Sequence, residues 1–154
     1  MYPSITRHKN KIDNLFKKYD DPIIKNDIEL SAHWSRYLCI LVYGYLEQSI
    51  KTIFLEYSSN KSHKRVARYV DSKLSYFQSA DMDNIFQLVD SFDHDWFEEL
   101  NISLDESIKS SVDSVVYIRH VLAHGGDHGI SGYRLFEYYN KINDLINILY
   151  KKCC

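Results

Sequence analysis

The sequence predicts an all-α protein, a single-domain helical bundle of five or six helices over residues 1–154. Apolar residues recur at intervals of three and four in several long segments, whereas no alternating apolar and polar run of convincing length appears. Only five glycines and two prolines interrupt the chain, so the helices should be long and the connections short. A hydrophobic content of 45% suits a folded core.

The first half of the chain predicts two helices. The first is expected over residues 4–19, with Ser4 as its N-cap, and Pro22 should break it shortly afterwards. The second is expected over residues 27–57. Between residues 37 and 46 it is apolar on nearly all sides, so it should lie at the centre of the bundle.

The middle of the chain predicts shorter helices. Residues 62–77 form the third, whose apolar face should consist of Val66, Val70, Leu74 and Phe77. Asp81 should cap a short fourth helix, and a turn of helix is expected over residues 93–100. The three consecutive polar residues Asp93, His94 and Asp95 point in different directions on a helix, which favours a helix start over a metal site.

The last third predicts two long helices joined by a glycine-rich loop. Ser103, with Glu106 three residues later, has the pattern of a capping box that opens the first of them. Two glycines, Gly125 and Gly126, should end it, because glycine readily adopts left-handed dihedrals. A final helix is expected over residues 133–150.

Composition and charge narrow the classes of function. A net charge of -2 excludes a bulk polycation, but residues 61–73 carry five cations and one acid, whereas residues 81–99 carry seven acids and no Lys or Arg. This asymmetry either steers a polyanion to one side or is an ordinary solvated surface.

No signal peptide is expected, and the longest apolar run is too short for a membrane span. The three cysteines predict no disulfide framework, and Cys153 and Cys154 are expected to form a frayed tail in a cytoplasmic protein.

Arg119 is an unexpected cation on the apolar face of its predicted helix. That face is spaced at intervals of four, three, four and three: Ile108, Val112, Val115, Arg119 and Leu122. A guanidinium there cannot lose its charge, so it requires either a buried ion pair or a polar cleft that receives an anion. Glu47, which follows the apolar run of the second helix, is a candidate partner, although Lys51 is an equally good one for Glu47 at the i,i+4 spacing.

His120 and His124 allow three uses of this segment. Their spacing suits a zinc-binding pair, with His128 as a further ligand. Alternatively, an imidazole with an ordinary pKa of about 6.5 and an arginine suit metal-free phosphoryl transfer on RNA, in which a 2′-hydroxyl attacks the neighbouring phosphate. The third use is structural, because histidines at helix ends often interact with the terminal carbonyls.

The run Arg119-His120, three residues, then His124-Gly125 near the end of a late helix resembles the signature of the HEPN superfamily, and in particular its RiboL-PSP-HEPN branch. The resemblance implies a metal-independent endoribonuclease without cofactor that acts as a toxin or antiphage effector. It also implies a homodimer through the motif helices, RNA as the ligand, an antitoxin or defence-system partner, and no membrane. Some HEPN domains only bind RNA, nucleotides or partners, which is the alternative function.

By this resemblance His124 is the general base or acid, Arg119 holds the scissile phosphate, and His120 orients or binds phosphate. Glu47 is the supporting acidic residue, and the products carry 2′,3′-cyclic phosphate and 5′-hydroxyl ends. Gly126 stands where related toxins usually carry a tyrosine, so regulation by modification of that residue is not expected.

Two expectations concern how such a site is completed. Lys64, Arg65 and Arg68 lie outside the predicted apolar face of their helix and are candidate RNA contacts. On a continuous helix, Arg119 and His124 would point about 140° apart. They serve one substrate only if the helix loosens before Gly125 or if a symmetry-related subunit supplies the other half of the site.

Overall fold

The structure, a computed structural model, describes residues 1–153 as eight α-helices without a strand, which confirms the all-α class. The helices are α1 (Pro3–Tyr19), α2 (Pro22–Lys25), α3 (Ile28–Lys61), α4 (Lys64–Leu74), α5 (Met82–Phe92), α6 (His94–Ser103), α7 (Glu106–Ala123) and α8 (Gly132–Cys153). The predicted number of five or six is therefore too low.

Two short helices, α2 and α6, were not predicted as full helices, and each is started by an aspartate N-cap. The Asp21 carboxylate accepts a hydrogen bond from the Ile23 N–H at 2.9 Å, and Pro22 occupies the first helical position, so the predicted breaker begins α2. Asp93 ends α5 and its carboxylate also accepts from the Trp96 N–H at 3.1 Å, so α6 is a full helix rather than a single turn.

The two predicted serine caps are wrong. The first helix begins one residue before Ser4, at Pro3, and has no side-chain cap. Ser103 is the last residue of α6, and α7 is instead capped by Asp105, whose carboxylate accepts from the Ser107 N–H at 2.8 Å. Only Met1 and Tyr2 precede α1, so no polar side chain is available to cap it. Before α7, the chain path places Asp105 rather than Ser103 beside a free N–H group.

Helix α3 is the centre of the bundle, as predicted, and α1, α7 and α8 pack against it. Asp27 caps it, and it continues to Lys61, beyond the predicted end. By length and composition alone α3 is able to cross a membrane, but 56% of its most apolar window is buried inside the structure. The core joins fully buried side chains of three helices: Leu38, Val42, Leu46, Ile50, Val112, Val115, Leu135, Ile142 and Ile146.

Helix α4 is shorter than the predicted span of residues 62–77, and its apolar face is only partly covered. Of the predicted apolar face, Leu74 is buried and Val70 and Phe77 are partly buried, whereas Val66 is half exposed. The following helix α5 begins after Asp81, as predicted. Because α4 and α5 do not close on each other, a groove remains between them.

Helix α8 is longer than predicted and buries its regular seam. The buried positions include every predicted one: Leu135, Tyr139, Ile142, Ile146 and Leu149. Cys153 is the last helical residue and is buried, so the prediction of a frayed tail is wrong for this cysteine. Cys154 lies outside the described residues.

Candidate active site

A polar cleft of about 640 Å³ opens between α3, the start of α5 and the second half of α7. Arg119 and His120 line it from α7, and Tyr43 and Glu47 line it from α3. The cleft therefore joins two of the three predicted motif residues with the predicted supporting acid.

Arg119 is half-buried in this cleft and is held by an aromatic ring. Its guanidinium carbon lies 4.7 Å from the centroid of the Tyr43 ring. Among residues 1–153 it forms neither a hydrogen bond nor a salt bridge, so the predicted ion pair between Arg119 and Glu47 is absent there. A cation over an aromatic face is stabilised by about 0.5–2 kcal/mol, and its N–H groups remain available to a ligand.

Glu47 fixes the ring rather than the arginine. Its carboxylate accepts a hydrogen bond from the Tyr43 hydroxyl at 2.6 Å and one from Lys51 Nζ at 2.8 Å. Of the two partners that the sequence offered for Glu47, the structure shows Lys51. Burial and the adjacent Glu47 carboxylate raise the pKa of Tyr43, so its hydroxyl remains a donor at neutral pH. Tyr43 is a residue of the site that was not predicted, because only the packing of α3 against α7 brings its ring beside Arg119.

The opposite wall of the cleft is acidic. Asp81, Asp83 and Asp113 line it, but two of the three carboxylates accept hydrogen bonds from backbone N–H groups. Asp81 caps α5 through Asn84 at 2.9 Å, and Asp113 accepts from the Met82 N–H at 2.9 Å. An anion in this cleft is therefore favoured only on the side of Arg119 and His120.

The end of α7 is built by glycine. The helix ends at Ala123, and His124 follows with φ -94° and ψ 17°. Gly125 has φ +76°, and its N–H donates to the Leu122 carbonyl at 3.2 Å. The Gly126 N–H donates to the Val121 carbonyl at 2.9 Å, which completes a Schellman motif. A Cβ at Gly126 would lie 2.7 Å from a Val121 methyl group, so a side chain there would require a shift of this turn.

The two histidines of the motif are in contact at this end of α7, as their i,i+4 spacing allows. The ring centroids of His120 and His124 are 4.4 Å apart, with an interplanar angle of 57°. His124 does not line the cleft itself, but it contacts His120, which does. Both side chains are exposed. Helix α7 ends at His124, as the first of the two expected routes requires, but His124 does not enter the cleft of Arg119.

The loop after the motif is tied to α3 by Arg36. Its Nη2 lies 2.6 Å from Asp127 Oδ1, and its Nε donates to the His128 carbonyl oxygen at 3.5 Å. The His128 ring lies against Tyr117, with 6.4 Å between centroids. Within residues 1–153 no three His, Cys, Asp or Glu side chains converge on a position that suits a metal ion, so His128 does not join His120 and His124 as a third ligand.

The three basic residues predicted to contact RNA lie elsewhere. Lys64, Arg65 and Arg68 are exposed on α4 and do not line the cleft of Arg119. Among the described residues none of them forms a salt bridge, so their charges face solvent.

An all-helical bundle whose penultimate helix ends in this arginine and histidine motif beside an open cleft has the features of a HEPN-type protein. The sequence model of the RiboL-PSP-HEPN family matches residues 5–154, and the chain belongs to this family. Neither a curated protein nor a solved structure matches the chain significantly.

The contact between Arg119 and Tyr43 predicts a signature in solution. In ¹⁵N-labelled protein, the Nε–Hε resonance of Arg119 should carry a ring-current shift, because the guanidinium lies over the Tyr43 ring. Tyr43→Leu should abolish that shift, whereas Tyr43→Phe should retain it. The resonance is assigned by its loss in Arg119→Lys, and an identical shift in wild type and Tyr43→Leu would contradict the contact.

The tie between Arg36 and Asp127 predicts a more mobile loop when it is removed. A partly exposed pair of this kind contributes at most about 1 kcal/mol, so Arg36→Gln should speed amide hydrogen exchange over residues 124–131 by up to about fivefold. Lys109→Gln is the matched control, because it removes a salt bridge with Glu106 that also joins a mostly buried cation to an exposed carboxylate. This substitution should leave hydrogen exchange in the loop unchanged. Equal exchange in both variants would show that Arg36 does not hold the loop.

Proposed function

We propose that this protein is a metal-independent endoribonuclease that works in the cytoplasm as a toxin or antiphage effector, needs no cofactor, and acts as a homodimer. The observation that carries the proposal is the Arg119 guanidinium, which lies over Tyr43 without a salt bridge to any acid in residues 1–153. It shares its cleft with His120, whose ring contacts that of His124. Membership of the RiboL-PSP-HEPN family supports an RNA-related role.

These groups suit cleavage by the 2′-hydroxyl of RNA. His124 accepts the proton of the 2′-hydroxyl, whose oxygen then attacks the adjacent phosphorus while the bond from phosphorus to the 5′-oxygen breaks. We propose that His120, besides binding phosphate, gives a proton to that leaving oxygen. The products are a 2′,3′-cyclic phosphate and a 5′-hydroxyl. Arg119 stabilises the charge that gathers on the non-bridging oxygens, and DNA is excluded because it lacks the attacking hydroxyl.

A dimer is proposed because the histidines are exposed beside apolar surface. On α3, Ile40 lies one turn before Tyr43 and is 47% exposed, and Tyr117 on α7 is also exposed. A two-fold axis at this surface would bury these side chains and place two motifs in one cleft. The proposed partners are therefore a second copy, RNA, and an antitoxin or other protein of a defence system.

One observation favours a second candidate, a non-catalytic module that binds RNA or nucleotides or only dimerises. Glu47, Asp81, Asp83 and Asp113 line the cleft, and these carboxylates repel a phosphodiester. In such a module Arg119→Ala would weaken dimerisation or ligand binding, and RNA would remain intact under every condition.

The two candidates are separated by RNA cleavage in EDTA. We expect wild-type protein to cleave, and His124→Ala to lose about 10²–10⁴-fold in rate because an acid–base group is removed. His94→Ala alters an exposed histidine on α6 and serves as the matched control. On induced expression, wild type but not His124→Ala should arrest growth. Equal cleavage by wild type and His124→Ala would identify a contaminating nuclease and reject the proposal.

The dimer is tested by a charge at the proposed interface. Ile40→Glu should shift the sedimentation coefficient from dimer to monomer and reduce cleavage, because two carboxylates would meet near the axis. Ile102→Glu changes an isoleucine that is 82% exposed on α6 and should alter neither. A wild-type protein that sediments as a monomer while it cleaves RNA would refute the shared cleft.

A further inference from the structure

The groove between α4 and α5 is a second open surface, with a volume of about 720 Å³. Its walls include Val66 and Tyr69 from α4, Leu88 and Phe92 from α5, and Tyr76 from the connection between them. Tyr69 is 62% exposed and Tyr76 is 77% exposed. Lys73 is the one charged residue among those that line it. Unlike the cleft of Arg119, this groove has no acidic wall.

Cations and aromatic rings alternate along the side of α4 that carries Tyr69 and Lys73, two residues of the groove lining. Arg65, Tyr69, Lys73 and Tyr76 follow one another at intervals of four, four and three, which places them on one side of α4 and its continuation. Lys73 Nζ lies 5.3 Å from the centroid of the Tyr69 ring. At about 100° per residue, Lys64 and Arg68 lie about 140° and 100° around the axis of α4 from Tyr69. None of the three predicted RNA contacts lines the groove, but Arg65 lies one turn before Tyr69 on the same side of α4.

This row matches the chemistry of one class of ligand. Arg65 and Lys73 form no salt bridge with any acid in residues 1–153, so both charges are available to an external anion. Exposed tyrosines supply flat surfaces on which nucleobases stack regardless of their identity. A single-stranded nucleic acid presents the complementary pattern of phosphates and planar bases.

The groove adjoins the proposed site, because Gln78 lines both the groove and the cleft of Arg119. We infer that the groove between α4 and α5 holds a stretch of single-stranded RNA next to the cleft, with bases on Tyr69 and Tyr76 and phosphates facing Arg65 and Lys73. This inference rests on the proposed function. The position of the groove beside the cleft favours RNA over an acidic protein segment.

Binding is measured with a fluorescent single-stranded 12-nucleotide RNA in which every ribose carries a 2′-O-methyl group. Wild-type protein cannot cleave this probe, because the attacking hydroxyl is blocked. Tyr69→Ala and Tyr76→Ala should each raise its Kd about tenfold through loss of stacking, whereas the Phe variants should bind as wild type. Tyr133→Ala removes a tyrosine that is 74% exposed on α8 and is the matched control. Circular dichroism shows whether each variant is folded.

A second variant tests the charged half of the row. Lys73→Gln should reduce the slope of log Kd against log salt by about 0.7, the value for one phosphate contact on a single strand. This substitution leaves both tyrosines in place, so it reports on the groove even if an alanine variant fails to fold.

The outcomes separate the groove from the catalytic proposal. If unmodified RNA stays intact but the blocked probe binds through Tyr69 and Tyr76, the groove is supported and cleavage is rejected. If RNA is cleaved but the tyrosine variants bind like wild type, the groove is rejected and cleavage stands. Absence of any binding by the wild-type protein overturns the inference. The inference is also overturned if a poly-glutamate peptide displaces the probe and its own binding depends on Tyr69 and Tyr76 to the same extent.

Discussion

The contact between the Arg119 guanidinium and the face of Tyr43 is the interaction on which the candidate site depends. A half-buried guanidinium must be compensated, because it cannot deprotonate. A carboxylate partner would provide that compensation but would also occupy the donors that a phosphate needs. The Tyr43 ring stabilises the cation through its quadrupole and leaves the planar N–H groups free. The positive charge of Arg119 therefore remains available to a ligand, although a half-buried arginine is usually paired with a carboxylate.

Helix α3 provides the rigid frame for that contact. Arg36, Tyr43 and Glu47 all lie on this one helix, which is buried at the centre of the bundle. Glu47 is held by Lys51 and in turn holds the Tyr43 hydroxyl, so the ring is fixed by bonds made within α3. Arg36 reaches from α3 to the loop that follows the motif. A site supported by a packed helix keeps its geometry more closely than one supported by loops.

The end of α7 is the second element of the geometry. His120 belongs to the last full turn, whereas His124 lies at the point where the helix stops. The stop is possible at this position because Gly125 accepts a positive φ and Gly126 has no side chain to meet Val121. His120 and His124, which are four residues apart, are in ring contact at this end of the helix.

Much of the fold could be predicted from local pattern. The periodicity of apolar residues gave the helical class, the central position of α3 and the seam of α8, because burial of an apolar stripe is a property of nearly any helix packed in a bundle. Helix starts were predicted less well. Ser4 and Ser103 carry suitable side chains, yet Pro3 and Asp105 mark the true starts, because capping depends on which backbone N–H groups the chain path leaves free.

The sequence by itself determined that Arg119 is a cation on an apolar helix face, that His120 and His124 follow it, and that glycine ends the helix. These facts follow from residue identity and from the 3.6-residue period of a helix. Only the tertiary structure decided that Tyr43 supports Arg119 while Glu47 pairs with Lys51. The reason is physical: contacts between α3 and α7 depend on how two helices are rotated and shifted against each other, and no local pattern encodes that register.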